Sequence, residues 1–312
     1  FNAWSNMLLW TCTRRSSSTS YIIVLGIGNN ISQSSASSSH SVENISNLTH
    51  YFRAKTGVTT NSTPGVLTWH NQVSGGANLQ ADVNADNDLT VANRVPAYNT
   101  ATGAMSWPTV VSSGAENPSE VNSLVFSSTQ TFTDAFSLFF VVDLNVFSDS
   151  GITGDPDAYH QLTGSENGSF TFLFDNSSNQ SNNFFDMKIS DGSAADDMTI
   201  TALTNDQGAN VKFLIAITKS AGSDATTKVY VNDNSAEISN TQLTVDANFE
   251  IDGIGGLRPG FGTAVGAGGG GIGTAIRHLH GNLYEWGAFD KEISAAEVTT
   301  IYNDINARGL IG

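Results

Sequence analysis

From about residue 50 to residue 290, short runs of β-branched and aromatic residues alternate with clusters of Gly, Asn, Asp and Ser. Short apolar runs bounded by turn-forming residues are typical of β-strands, and no stretch of helical periodicity interrupts them. Residues 123–126 and 136–144 are two such runs, and both are predicted to be core strands. The pattern therefore predicts a sheet-rich fold.

The most regular alternation lies in residues 281–289, near the end of the chain. Successive side chains of a strand point to opposite faces, so Tyr284, Trp286 and Ala288 share one face and the residues between them share the other. This period-two pattern is typical of a half-buried strand that closes the fold.

A single helix is predicted after the turn at residues 290–291. Ser294 and Glu297 are spaced as a capping box, which satisfies the free amides of a helix start. Gly309 lies where a left-handed residue commonly ends a helix. Apolar side chains recur at helical spacing on one face in between, at Val298, Ile301, Tyr302 and Ile305.

This order of strand, Asp-Lys-Glu-Ile turn, Ser-x-x-Glu box and helix resembles the C-terminal end of concanavalin A-like, laminin-G-type jelly-roll domains. Residues 51–58 and 67–75 resemble the beginning of the same family, where a strand and turn lead to a Trp-x-Asn-x-x-Gly-type loop. The resemblance spans residues 46–312. It implies one antiparallel jelly-roll β-sandwich with a short C-terminal helix, but no particular ligand.

Residues 1–31 are interpreted as an N-terminal arm and residues 32–45 as a Ser-rich linker before the sandwich. The arm contains Trp4, Trp10 and the apolar run 21–25. One interpretation is an anchor that adds a strand to a neighbouring subunit of an assembly, which would make a homo-oligomer plausible. The alternative is an ordinary first strand that pairs within the same domain.

The chain of 312 residues has 29 acidic and 13 basic residues, a formal charge of −16. Such a field repels phosphate backbones and anionic lipids, which argues against nucleic-acid binding. The longest apolar run, residues 21–27, is far shorter than the roughly 20 residues of a membrane helix, so membrane insertion is not expected. Cys12 is the only cysteine, so no intramolecular disulfide can form.

Residues 249–255 contain the strongest hint of catalysis. Glucanases that share the jelly roll carry a Glu-x-Asp-x-Glu or Glu-x-Asp-x-x-Glu strand, and Glu250 and Asp252 match its first two acids. Ile254 and Gly255 occupy the two positions where the closing glutamate would stand. Without that proton donor the retaining mechanism fails, so two solvent-facing acids are the preferred interpretation.

A second acidic segment suggests a calcium site. Asp82, Asn84, Asp86 and Asp88 place oxygen ligands at alternate positions, which resembles the start of an EF-hand-type loop. The segment lacks the usual Gly at its sixth position and the bidentate Glu at its twelfth. Calcium binding and a solvated acidic turn therefore both remain open, and no other cofactor is predicted.

Glycines are concentrated in residues 253–273, which predicts a loop at the rim of the sandwich. Arg258, Arg277, His278 and His280 form one of the few basic spots of the acidic chain and are candidate ligand-binding residues. His278 and His280 would share a strand face, so a transition metal is an alternative to simple surface histidines.

Indole rings stack on the apolar faces of sugars, so the tryptophans are also candidates. Trp69 and Trp286 lie where this fold buries aromatic residues, and both are predicted to be in the core. Trp107 lies in a segment marked by Pro and Gly and is the best candidate for an exposed sugar-stacking side chain.

These patterns predict a non-catalytic binding or assembly module that recognises surface glycans or another protein. The resemblance, the arm and the acidity suggest an extracellular or virion-surface protein, such as a bacteriophage capsid decoration protein or tail adhesin. A secreted carbohydrate-active enzyme of the same fold, either a glycoside hydrolase or a lyase, is the alternative.

Overall fold

The computed structural model describes residues 41–61, 65–81, 96–107, 124–144, 159–164, 171–175, 184–190, 195–204, 211–222, 227–233, 238–240, 249–255, 279 and 281–311. The chain divides into two compact units, residues 1–39 and residues 40–312. The predicted arm and most of the predicted linker lie outside the described residues.

The second unit is built mainly of strands. A short 3₁₀ helix, Val42–Asn44, comes first, and one α-helix, α1 (Ala295–Ala307), comes last. The strands between them are β1 (Leu48–Arg53), β2 (Val58–Thr60), β3 (Val66–Trp69), β4 (Leu79–Ala81), β5 (Ala97–Asn99), β6 (Ala104–Trp107), β7 (Leu124–Phe132), β8 (Phe136–Leu144), β9 (Tyr159–Gly164), β10 (Thr171–Asp175), β11 (Phe184–Ser190), β12 (Ala195–Thr204), β13 (Phe213–Lys219), β14 (Thr227–Val231), β15 (Ile238–Asn240), β16 (Phe249–Ile254) and β17 (Gly281–Phe289).

Two antiparallel sheets contain these strands. Sheet A has the order β15-β14-β13-β8-β17-β6-β5, and β1 pairs with β17 beside β6. Sheet B has the order β12-β11-β10-β9-β16-β7-β4-β3-β2. Strand β17 therefore has three partners, all of them distant in sequence, and it is central to sheet A.

The main core lies between the two sheets. Phe52, Phe140 and Trp286 of sheet A and Trp69 and Phe126 of sheet B belong to one buried cluster. Because each sheet buries one face against the other, the architecture is a β-sandwich. This confirms the predicted all-β sandwich with a C-terminal helix, and it confirms the core positions predicted for Trp69 and Trp286.

A second core lies on the outer face of sheet A, beneath α1. Val298, Ile301 and Ile305 of the helix are buried together with Phe139 and Phe289 of the sheet. The predicted capping box is confirmed, because the Ser294 side chain accepts from the Glu297 amide and the Glu297 carboxylate accepts from the Ser294 amide. Gly309 follows the helix with a left-handed φ of +70°.

Two details differ from the sequence-based predictions. Strand β17 is buried on both faces rather than half-buried, because α1 covers its outer face. A register shift after Leu283 also places Tyr284 in the second core, whereas Trp286 and Ala288 lie in the inter-sheet core. Val42 and Ile45, assigned to the linker, are also buried in the second core. The Ser-rich composition led to the assignment of these two residues to a linker, but their apolar side chains pack on the helix side of sheet A.

The loop after β3 closes the free edge of β1. The Asn71 carboxamide oxygen accepts from the amides of Tyr51 and Val73, at 3.0 Å each, and its nitrogen donates to the Thr49 carbonyl. An open edge strand invites pairing with another chain. Asn71 satisfies the edge groups of β1 within the chain itself.

Candidate functional site

The two outer faces of the sandwich differ in character. The outer face of sheet A is covered by α1, whereas no described helix packs on the outer face of sheet B. Strands β2, β3, β4, β7 and β16 carry polar side chains at outward positions, next to the apolar side chains of Leu67 and Val125. We call this set the open face, and it consists of Thr59, Thr68, Gln80, Thr131, Glu250 and Asp252.

The register of sheet B arranges these side chains in two groups, one level with Val125 of β7 and the other level with Thr131. Thr59 pairs with Thr68, and Thr68 pairs with Gln80, so three polar residues form one row across three strands. Glu250 lies directly opposite Thr131 on the neighbouring strand pair. Cross-strand partners have Cβ atoms about 5 Å apart, so the row groups two hydroxyls with one amide, and the pair places a hydroxyl beside a carboxylate.

Strand β16 orients the two acids through simple alternation and one bulge. Phe249 and Ile251 are buried in the core, so Glu250 and Asp252 lie on the other face and are partly exposed. The ladder with β7 shifts register between Ile251 and Gly253. Two steps along β16 correspond to five steps along β7 at this point, so the extra residues of the bulge lie on β7.

Gly253 lies where the backbones of β16 and β7 approach closely beside this bulge. A Cβ atom there would lie 2.8 Å from the Leu124 carbonyl oxygen and 3.3 Å from Cγ1 of Val125. The close approach of the two backbones excludes any larger residue without a shift of β7. The local sequence Glu-Ile-Asp-Gly thus combines two outward-facing acids with a close backbone contact to β7.

Neither of the two positions where a third carboxylate could stand, Ile254 and Gly255, has room for an acidic side chain in contact with solvent. Ile254 is fully buried in the core. Gly255 has a φ of +79°, and a Cβ atom there would lie 2.3 Å from the Trp107 ring. The pair formed by Glu250 and Asp252 can accept hydrogen bonds and attract cations, but this strand provides no third acid beside it.

Trp107 does not lie where it was expected. It is the last residue of β6, it is only 1% exposed, and it pairs with Gly281 in the ladder. The prediction of an exposed sugar-stacking ring was wrong because Met105 and Trp107 share the inward face of a strand, with Ser106 between them. The apolar-polar-apolar alternation of these three residues was the signal that would have identified the strand.

The other candidate residues lie outside the described residues. These are the basic group of Arg258, Arg277, His278 and His280, and the calcium candidates Asp82, Asn84, Asp86 and Asp88. Within the described ranges, no three His, Cys, Asp or Glu side chains are grouped to hold a metal ion. Both hypotheses stay predictions.

Sequence reasoning missed a buried carboxylate on sheet A. Asp143 accepts hydrogen bonds from the Asn282 amide and the Tyr284 hydroxyl, at 2.7 Å each. Burial and the contact with Asp143 raise the pKa of Tyr284, and the Lys212 ammonium lies 4.4 Å from the centre of its ring. Asn282 and Tyr284 each donate to one carboxylate oxygen, so this cluster is structural in character.

A second missed cluster fixes the end of the helix. Glu285, 2% exposed, forms ion pairs with Arg308 at the end of α1 and with Arg53 of β1. Arg308 also bonds Asp304 one turn earlier at 3.0 Å. The period-two alternation predicted Glu285 to face solvent, but the docked helix encloses it, and removal of one partner from such a pair leaves a buried charge.

Comparison with known proteins shows similarity only at the level of solved structures. No protein-family model matches the chain, and no curated protein matches it. A botulinum neurotoxin serotype D/C binding domain is similar with a TM-score of 0.49 and 10% identity, over 85% of this chain and 53% of that chain.

Two further solved structures are similar to this chain at comparable TM-scores. The binding domain of botulinum neurotoxin DC in complex with SialylT has a TM-score of 0.45 and 11% identity, over 85% of this chain and 52% of that one. A Trypanosoma rangeli sialidase in complex with the inhibitor DANA has a TM-score of 0.44 and 12% identity, over 82% of this chain and 32% of that one. The chain spans about half or less of the length of these proteins, and similarity at this level carries no information on its ligand.

One further property concerns membranes. Among the helices of the described residues, none combines the length and the apolar character that crossing a bilayer requires.

Proposed function

We propose that this chain is a non-catalytic binding module that holds a hydroxyl-rich ligand, such as a surface glycan, on the open face of sheet B. The observation that carries the proposal is the contrast between the two outer faces. One is apolar and covered by a helix, and the other presents hydroxyl, amide and carboxylate groups from five adjacent strands beside the exposed Leu67. Such groups donate to and accept from sugar hydroxyls.

The closed third acid position supports binding without catalysis. In the Glu-x-Asp-x-Glu strand that Glu250 and Asp252 resemble, the closing glutamate is the proton donor, and a retaining glycosidase needs that donor in addition to its nucleophile. Ile254 and Gly255 have no acidic group and no room for one. The open face is therefore better suited to hold a polymer than to cleave it.

Binding to a glycan array tests the proposal. We expect the intact chain to bind, and we expect the double variant Glu250→Gln, Asp252→Asn to bind about tenfold more weakly, since hydrogen bonds to charged groups contribute about 1.5–3 kcal/mol. The matched control is Glu43→Gln with Asp290→Asn, two exposed acids outside the open face. Equal binding by the two double variants would place the ligand elsewhere, and no binding by the intact chain would remove the glycan hypothesis.

A carbohydrate-cleaving enzyme is the second candidate, and the shared face of Glu250 and Asp252 favours it. Incubation with bacterial or algal polysaccharides, followed by a reducing-end assay and ultraviolet detection of unsaturated products, separates the two functions. If the intact chain cleaves a polysaccharide and the Glu250→Gln variant does not, the chain is an enzyme that acts by hydrolysis or elimination, and the binding proposal is wrong.

The finer part of the proposal is a place on a virion or another extracellular assembly, with the arm as the anchor. It rests on the arm sequence and the acidic charge. Deletion of residues 1–40 is the appropriate test, because Val42 and Ile45 belong to the second core and a longer deletion would damage the sandwich. We expect loss of particle association with unchanged thermal stability, and unchanged association would exclude the anchor.

A further inference from the structure

His50 is a titratable side chain that lies between the two sheets among four aromatic rings. It is 6% exposed. Its ring centre lies 5.3 Å from that of Phe126, 5.9 Å from Phe132, 5.6 Å from Trp286 and 6.4 Å from Phe52. The glycan-binding proposal does not involve this residue.

Polar contacts at both ring nitrogens join sheet A to sheet B. Nδ1 of His50 lies 3.0 Å from Oγ1 of Thr49, and that hydroxyl lies 3.1 Å from the carbonyl oxygen of Ala288 in β17. Nε2 lies 3.1 Å from Oε1 of Gln130 in β7, and the Gln130 amide nitrogen donates to the Ser128 carbonyl at 2.5 Å. A chain of hydrogen-bonding groups thus runs from β17 through β1 to β7.

The two end groups of this hydrogen-bonded series determine where its protons can lie. Two carbonyl oxygens cannot approach to 2.5 Å without a proton between them, so the Gln130 nitrogen must face Ser128 and its oxygen must face His50. That oxygen only accepts, so Nε2 must donate to it. At the other end, the Ala288 carbonyl also only accepts.

The neutral ring leaves one of these contacts incomplete. Three contacts each require one proton: Ala288 with Thr49, Thr49 with Nδ1, and Nε2 with Gln130. The Thr49 hydroxyl supplies one proton and the neutral ring supplies one, on Nε2. With a second ring proton on Nδ1, Thr49 accepts from the ring and donates to Ala288, and all three contacts are complete.

We propose that His50 is a proton-responsive clasp between the two sheets, which holds the Nε2–H tautomer when neutral and takes up its second proton at Nδ1. Two opposing effects determine how readily the His50 ring takes up this proton. The completed hydrogen-bond chain favours the imidazolium, and the apolar surroundings disfavour its charge.

Charged groups do not offset that desolvation. Phe52 of β1, Phe126, Phe132 and Gln130 of β7, and Trp286 and Ala288 of β17 surround the ring. The charged side chains on these strands, Arg53 and Glu285, lie on the opposite face of sheet A and pair with each other. Burial lowers the pKa of His50 from 6.5, and the hydrogen bond to Gln130 opposes this to a smaller extent.

Because burial lowers the pKa of His50, its contribution to folding stability changes with pH in a definite direction. Below about pH 6.5 the unfolded chain takes up a proton that the folded chain does not yet bind, so folding stability falls as pH decreases. The loss is complete below the pKa of the folded state, where both states are protonated. Acid therefore lowers the free energy of unfolding through His50, although the protonated ring completes its hydrogen bonds.

Nitrogen-15 NMR of the histidine-labelled intact chain tests the clasp directly. Side-chain-to-backbone correlations assign the His50 ring without a variant. At pH 8 we expect the Nε2–H tautomer, and on acidification we expect a midpoint below 6.5. The Nδ1–H tautomer at pH 8, or a midpoint at or above 6.5, would overturn the proposal.

Two substitutions then separate a proton clasp from a merely buried ring. Thr49→Val removes the acceptor for the Nδ1 proton, so the midpoint should fall further. Gln130→Glu places a carboxylate next to Nε2, so the midpoint should rise by about one unit or more. His70→Gln, at an exposed histidine, is the control and should leave the His50 midpoint unchanged. No shift in Thr49→Val would show that the hydroxyl takes no part in proton uptake, and a failure of Gln130→Glu to raise the midpoint would also contradict the clasp.

Discussion

At the scale of single residues, the contact between Gly255 and Trp107 shows how a backbone conformation and a buried ring depend on each other. Gly255 has a φ of +79°, its amide donates to the Leu162 carbonyl, and its carbonyl accepts from the Leu279 amide. The left-handed conformation alone favours glycine. The Trp107 ring adds a second restriction, because it fills the space where a side chain would project.

Gly255→Ala should therefore destabilise the protein by more than its backbone strain, by about 3 kcal/mol in total. Gly75→Ala is a matched control, since Gly75 has the same φ of +79° and no neighbouring atom lies within 4 Å of the place a Cβ would take. It should cost about 1–2 kcal/mol. Urea unfolding followed by tryptophan fluorescence measures both, and equal losses would show that the Trp107 contact is not restrictive.

At the scale of elements, α1 illustrates a helix whose local signals and tertiary contacts agree. The capping box fixes its start, and the Ser137 hydroxyl fixes the preceding turn by donating to the Lys291 carbonyl and accepting from the Ile293 amide. The ion pairs of Glu285 with Arg308 fix its end. The helix is thus held at both ends as well as along its buried face.

Ser294→Ala removes the cap and should lower the free energy of unfolding by about 1 kcal/mol. Thr300→Ala is the control within the same helix: its hydroxyl only bonds the carbonyl one turn earlier, and alanine has the higher helix propensity. We expect Thr300→Ala to be neutral or slightly stabilising in thermal and urea unfolding. A neutral Ser294→Ala would show that the tertiary contacts alone determine where the helix begins.

At the scale of the whole molecule, the fold depends on two cores that share sheet A. The inter-sheet core contains residues of both sheets, and the second core exists only because α1 covers the outer face of sheet A. Detachment of the helix would expose Phe139 and Phe289 to water, which costs about 25 cal/mol for each Å² of apolar surface.

Ile301→Asp tests this dependence, because it places a charge at a fully buried helix position. We expect a loss above about 3 kcal/mol and increased binding of a hydrophobic dye, as the helix leaves the sheet. Ala296→Asp, at an exposed position of the first turn, should change stability by less than about 0.5 kcal/mol. Similar stability of the two variants would mean that the second core contributes little.

The sequence by itself determined the features that depend on neighbours a few residues away. The apolar run in residues 136–144 and the alternation in residues 281–289 predicted strands. Ser294, Glu297 and Gly309 predicted both ends of the helix, because strand pleat and helix capping are local in origin. The two outward acids of β16 followed from the same alternation.

Only the tertiary structure decided which faces meet water and which side chains share a site. Strand β17 pairs with β1, β6 and β8, and α1 then covers its second face, so Glu285 is enclosed although its pattern predicted exposure. The burial of Trp107, the position of His50 between the sheets and the row from Thr59 to Gln80 depend in the same way on strand register. Register joins residues far apart in the chain, and local periodicity carries no information about such pairings.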